Sequence, residues 1–170
     1  MQRLISRVFE KVVREYFADS PLGGSRVPAV FPPVDEGRLD DLRRRFGGFL
    51  DPSYREFLLV TDGMVGGDID IFGSRDWEPG GRGESAMAYR DILEGTGTAQ
   101  DVGAPEGVSL LPVASDKFSR EAIFMIDLGP EIPYRFWWVG AGSSRFFGDF
   151  YNVLEYMMDP SAYDPVEEIE

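Results

Sequence analysis

The chain of 170 residues contains no cysteine and no histidine. Without cysteine there are no disulfides, no zinc–thiolate sites and no thiol nucleophiles. Without histidine the commonest general base and the commonest metal ligand are missing, together with every Ser-His and Cys-His mechanism. Carboxylates, lysine and tyrosine remain for catalysis, yet the two most frequent catalytic side chains are gone, and the inventory leans toward binding. Lysine is nearly absent too, with 2 against 15 arginines. No apolar run is long enough to span a bilayer. The first 17 residues mix acids among their apolar positions and lack a small-residue cleavage site, so they do not read as a signal peptide and a cytoplasmic location is expected.

What is abundant is negative charge, −13 overall. It is unevenly spread. Residues 1–50 hold 9 basic and 7 acidic side chains, whereas residues 51–170 hold 8 basic and 23 acidic. Such a field repels nucleic acid and anionic membrane and attracts a basic partner. Solubility alone is the plainer explanation of the same acidity.

Taken in order, residues 2–17 form an amphipathic helix, with Leu4, Ile5, Val8, Phe9, Val12, Val13 and Tyr16 on one face. Residues 18–37 are rich in Pro and Gly and read as a loop. A second helix is predicted over 36–46, with Leu39, Leu42 and Phe46 inward; its Arg43-Arg44-Arg45 cluster reads as a solvated face. Residues 50–77 then give a short helix capped by Asp51, with Pro52 in its first turn and Gly63 as its stop, followed by an alternating strand at 68–72. Residues 73–84 and 95–107 read as loops around a short helix at 85–93. Strands are predicted at 108–114, 122–127 and 134–139. A last helix, capped by Ser143 or Ser144, carries Phe146, Phe147, Phe150, Val153, Leu154, Met157 and Met158, and an acidic, frayed tail follows.

The pattern of Leu50, Pro52, Tyr54, the Phe57-Leu58 pair, Thr61 and Gly63, followed by a strand, resembles the SUKH superfamily. This is the Smi/Knr-type group of bacterial immunity proteins and fungal cell-wall regulators. Pro52 stands one residue later than the family's Leu-Pro pair, and Asp62 stands where the family mostly has Asn. The order of elements extends the resemblance over residues 31–158. The expected organisation is therefore an added helix and arm at 1–30, a SUKH-like domain at 31–160 and a tail at 161–170. The expected fold class is α+β: a small, largely antiparallel sheet of about four to six strands packed with N-terminal helices and a C-terminal helix.

Candidate sites follow from the acids and aromatics. Asp68 and Asp70 are two apart on a strand and share a face. Asp76 and Glu78 flank Trp77 in the next loop. An ordinary solvated strand face explains these positions; a protein-binding face is the functional reading. The spacing matches no calcium loop and shows no paired-acid cleft, so no metal, cofactor or catalytic residue is assigned. The partner-binding candidates are Asp68, Asp70, Asp76, Trp77, Glu78, Glu84 and Asp127. Trp137 and Trp138 are adjacent on a strand and must point to opposite faces. The resemblance implies an immunity protein, not an enzyme, that binds a cognate toxin with a basic active face and occludes its site. Two alternatives stay open: a regulatory scaffold of the same family and a carboxylate-dependent enzyme.

Overall fold

A computed structural model describes residues 1–19, 26–118, 120–140, 142–161 and 163–169. The amphipathic N-terminal segment forms helix α1 (Gln2–Asp19), which buries Ile5, Val8 and Val12. Part of the predicted 18–37 loop, residues 20–25, lies outside the described residues; Ala29–Val30 within it forms strand β1. Helix α2 (Glu36–Arg45) is capped by Asp35, whose carboxylate accepts from Arg38 N, and buries Leu39 and Leu42. Helix α3 (Pro52–Val60) starts at Asp51, which accepts from Ser53 N and Tyr54 N.

The end of α3 differs from expectation. Its cap is Thr61 in an extended conformation, with φ −153°. The Thr61 hydroxyl donates to Phe31 O at 2.8 Å and turns the chain away. Gly63 lies further on at φ 96°, where a Cβ would meet Gly73 N at 2.8 Å. Its role is close approach to the strand exit rather than helix termination. Gly73 is the other half of that crossing, because its Cβ would lie 2.1 Å from Asp62 O. Asp62 then fixes the crossing by accepting from Ser74 N and from Ser74 Oγ (2.7 Å).

Beyond α3 come β2 (Met64–Val65), β3 (Ile69–Ile71) and a 3₁₀ turn over Ser74–Trp77. Helix α4 spans Arg82–Thr96 and α5 Thr98–Asp101, so much of the two predicted loops is helical. The sheet continues with β4 (Leu110–Asp116), β5 (Glu121–Ile126), β6 (Phe136–Gly140) and β7 (Ser143–Phe147), and the chain's last helix is α6 (Phe150–Met158). The expected start of that helix is corrected: Ser143 and Ser144 belong to β7, and Asp149 caps α6 by accepting from Asn152 N at 2.9 Å. Ser53 Oγ also receives the Phe150 N–H at 2.8 Å, which joins the start of α6 to α3.

The fold is α+β, and among the described residues seven strands pair antiparallel in sequence order. That is one strand more than the upper expectation, because the two-residue strands at the β1 end and β7 join the sheet. Pro112 cannot donate to a ladder, and the β4–β5 register shifts between Pro112 and Ala114 to accommodate it.

Alternation splits the sheet's side chains between two cores. Ile69, Ile71, Ile123, Met125, Phe136, Trp138 and Phe147 face α1, α2, α3 and α6. Phe124, Ile126, Trp137, Val139 and Phe146 face the C-terminal part of α4, α5 and the loops beside them. Each tryptophan of the adjacent pair is covered on its own side, Trp137 donating to Ser144 Oγ and Trp138 to Glu121 Oε1, both at 2.7 Å. The three buried aliphatics of α1 lie in the same core as α3 and α6. At roughly 1.5–3 kcal/mol each they bind this helix firmly to the sheet layer.

The tail is not frayed. Tyr163 stacks on Phe147 with ring centroids 5.5 Å apart, Val166 O accepts from Phe146 N at 2.7 Å, and Ile169 N donates to Val102 O at 2.9 Å. It runs along the β7 edge of the sheet and covers what would otherwise be an unpaired strand. Among the described residues no helix is long and apolar enough to cross a membrane.

Candidate functional site

The sequence groups Asp70 and Asp76 with exposed binding residues; the structure turns both inward onto Arg82. Arg82 Nη1 donates to Asp70 Oδ2 at 2.6 Å and Arg82 Nε to Asp76 Oδ1 at 2.5 Å. Each carboxylate-bearing side chain is only 14% exposed. Asp70 also receives Arg26 Nη1 (2.9 Å) and Gly66 N (2.8 Å), and Asp76 receives Gly73 N (2.8 Å). The guanidinium lies 5.1 Å from the centre of the Phe72 ring. Burial works against the Arg82 charge, but the Asp76 hydrogen bond and the Asp76 and Asp70 charges outweigh it, so its pKa stays above the usual arginine value. Beneath this knot Tyr54 donates to Phe72 O at 2.7 Å. Burial raises the Tyr54 pKa well above the ordinary phenol value, and the Asp76 and Asp62 charges add to it.

Trp77 does not stand on the surface. It is 7% exposed and packs edge-on against Phe46 (4.9 Å) and Phe72 (6.3 Å), with Arg45 over its ring. Gly83 is required beside it, since a Cβ there would meet the indole at 2.9 Å. Glu78 is exposed but paired with Arg38 at 2.7 Å, across a cleft of about 450 Å³ between α2 and the 3₁₀ turn.

Glu84, Asp127 and Asp68 are exposed, in three different places. Glu84 lies in the first turn of α4. Asp127 follows β5 at the end remote from Glu121, about 20 Å along the strand. Asp68 opens on a cavity of about 260 Å³ bounded by α1, α6 and the sheet. The seven candidates therefore do not form one patch.

The acidic surface lies elsewhere. The segments that cover the second core are residues 88–109, 127–135 and 163–169, with 9 acidic and 2 basic side chains. All nine acids are exposed: Asp91, Glu94, Asp101, Glu106, Asp127, Glu131, Asp164, Glu167 and Glu168. Both cations are already engaged. Arg90 pairs with Asp91 and Glu94, and Arg135 donates to the carbonyls of Ile132, Tyr134 and Gly129. On the opposite side, α1, α2, α3 and α6 carry 9 basic and 8 acidic side chains, and the segments beside them, residues 26–35, 46–51, 61–68, 73–87, 148–149 and 159–161, add 3 basic and 9 acidic ones. Ile92 is 59% exposed on α4 and puts an apolar side chain among the acids.

The charge count of residues 51–170 signals this excess but not its place, because the acids of α4, α5 and the tail are far apart in sequence and meet only over the second core. Asp127 is the sequence candidate that belongs to this layer; Glu84, in the first turn of α4, lies beside the first core. Among the described residues no group of three or more acidic side chains is arranged to hold a metal ion. No protein-family model matches the chain, and no curated protein is detectably similar to it.

Proposed function

We propose that the chain is a non-catalytic binding protein that holds a basic protein partner against the α4, α5 and tail layer. In the reading that the SUKH resemblance gives, the partner is a cognate toxin, and the bound chain occludes its active site. The observation that supports this is the uneven spread of charge across the sheet: nine exposed acids with both local cations engaged in the short segments on one side, 17 acids against 12 cations in the longer segments on the other. A field concentrated on one face orients an approaching basic protein and speeds its encounter, typically by 10-fold or more at low salt. Solubility alone needs no such concentration. Ile92, projecting among the acids, supplies the kind of apolar anchor around which interface energy gathers.

The test is co-expression with the protein encoded by the adjacent gene, scored by growth and co-purification. The expected result is a neighbour that is toxic alone, harmless with this chain, and recovered in a complex that weakens as NaCl rises. Reversal of three exposed acids together, Asp101→Lys, Glu106→Lys and Glu167→Lys, then slows association about 10-fold or more at low salt, flattens the salt dependence and leaves the urea midpoint unchanged. A complex formed at the same rate by the triple variant would rule out the acidic layer as the interface. A harmless neighbour that does not bind would remove the toxin reading and favour a regulatory scaffold.

A further inference from the structure

The cavity bounded by α1, α6 and the sheet is lined by charges of both signs that do not meet. One wall is aromatic: Trp138 and Tyr156 pack edge to face with ring centroids 5.6 Å apart. A cation stands at one end of this wall. Arg145 is opposite Trp138 in the β6–β7 register, and its guanidinium lies 5.4 Å from the centre of the Tyr156 ring. Acids stand at the other end. Glu121 Oε1 accepts the Trp138 indole N–H at 2.7 Å. Asp68 precedes Ile69, which pairs with Asp116, while Ala122 pairs with Ser115, so Asp68 and Glu121 lie at the same end of the sheet. The acids thus enter from the β3 and β5 side and the arginine from β7. Arg145 and Glu121 are each held by bonds other than an ion pair: Arg145 Nη1 donates to Ser143 Oγ at 2.6 Å, and the indole fixes Glu121 while leaving Oε2 over. Among the described residues Arg145, Glu121 and Asp68 have no ion-pair partner. The other charged pair of the lining, Lys11 and Glu15, neutralises itself at 3.5 Å.

We propose that this cavity binds a small zwitterion of the ω-amino-acid class, an ammonium and a carboxylate joined by a methylene chain. The carboxylate meets Arg145, the ammonium meets Glu121 and Asp68, and the chain lies along the Trp138–Tyr156 wall and against Val8 and Val12 of α1. A simple anion would leave Glu121 and Asp68 unmatched, and a simple cation would leave Arg145 unmatched; a desolvated charge without its counter-charge is the costly case. An α-amino acid carries both charges on one carbon, whereas the ring centres that lie between Arg145 and Glu121 are already 5.6 Å apart. A peptide of similar length would press amide groups against an apolar wall that offers them no partner. The volume of about 260 Å³ falls just below the roughly 300–1,000 Å³ of drug-sized sites, which suits a short chain molecule. The cavity lies on the first-core side of the sheet, away from the acidic layer, so this binding goes beyond the function proposed above and does not depend on it.

The experiment uses the whole chain and three probes. ε-Aminocaproate carries both charges, caproate only the anion and hexylamine only the cation. Each is titrated while the Trp138 indole N–H is followed by NMR, with the Trp77 and Trp137 indoles as references for an intact fold. The expected result is a saturable shift of the Trp138 signal with ε-aminocaproate, and binding weaker by about fivefold for each single-charge probe, as loss of one partly exposed charge contact gives. The variants should then cross over. Arg145→Gln brings ε-aminocaproate down to the level of hexylamine and leaves hexylamine unchanged. The Asp68→Asn, Glu121→Gln double variant brings it down to the level of caproate and leaves caproate unchanged. Gln at 121 still offers an oxygen to the Trp138 indole, and Asp68 makes no hydrogen bond among the described residues, so the double variant keeps the fold and decides the matter alone if Arg145→Gln does not fold. An unresponsive Trp138, a single-charge probe bound as tightly as ε-aminocaproate, or variants that weaken all three probes alike or none of them would overturn the assignment.

Discussion

Replacing Arg82 with methionine separates the inner acids from the outer ones. Methionine keeps a flexible apolar side chain against Phe72 and removes the charge shared by Asp70 and Asp76. Breaking a buried ion pair from one side costs about 3–5 kcal/mol. Here Asp70 keeps Arg26 and Gly66 N, Asp76 keeps Gly73 N, and Arg82 is itself 25% exposed. Those retained contacts lower the expected loss to about 2–3 kcal/mol. Equilibrium urea unfolding at pH 7 measures it. With a slope of about 1–3 kcal/mol per molar urea, the midpoint falls by about 1–2 M. The loss persists in 1 M NaCl, because partly buried pairs are screened little. Arg38→Met is the control: the Arg38–Glu78 pair is exposed on both sides, and its removal costs less than about 1 kcal/mol. A midpoint for Arg82→Met equal to that of Arg38→Met would refute the account of Asp70 and Asp76 as structural acids. It would return them to the set available for binding.

Further outcomes follow from other contacts. Tyr54 favours its protonated form in the fold, so the stability it contributes is complete below the unfolded-state value of 10.0 and is lost as pH rises toward the higher folded value. Urea midpoints measured from pH 8 upward should fall above pH 10, and Tyr54→Phe should remove about 1.4 kcal/mol per pH unit from that decline, while lowering the neutral-pH plateau by about 1 kcal/mol. Gly73→Ala drives a Cβ to 2.1 Å from Asp62 O; thermal unfolding should show a loss of about 3 kcal/mol or more. Ending the chain before Tyr163 strips Phe147, Phe146 and Val102 of their tail contacts. It should cost about 2–4 kcal/mol and promote self-association through β7, read by light scattering.

Much of the fold is legible in the sequence because the local and global signals agree. The cap at Asp51, the face of Ile5, Val8 and Val12, and the strands of β4 to β6 fall within a few residues of where spacing and turn chemistry put them. The errors have physical causes. Phe146 and Phe147 fit a helical period with Phe150 and Val153, yet they occupy opposite faces of β7, one in each core. Gly148 and Asp149 are the true break and cap, and a two-sided aromatic strand looks like a helix start when both faces are apolar. Gly83 and Gly95 lower the helix propensity of α4, although Gly83 is there for the Trp77 ring. The tail has no periodicity because it is held by single residues, Tyr163, Val166 and Ile169. Of the candidate site, residue type was legible and pairing was not. Nothing local distinguishes Asp70, aimed at an arginine twelve residues on, from Asp68, which faces a cavity.

The sheet's neighbour-to-neighbour order has a consequence for synthesis. Strands β2 to β7 can pair as each follows its predecessor from the ribosome, since no strand waits for a distant partner. Helix α1 has the opposite schedule. It packs on α6, and its Lys11 bonds the carbonyl of Met157. Helix α1 is thus made long before the helix that buries it. Ile5, Val8 and Val12 stay open to chaperones and to other nascent chains until α6 emerges.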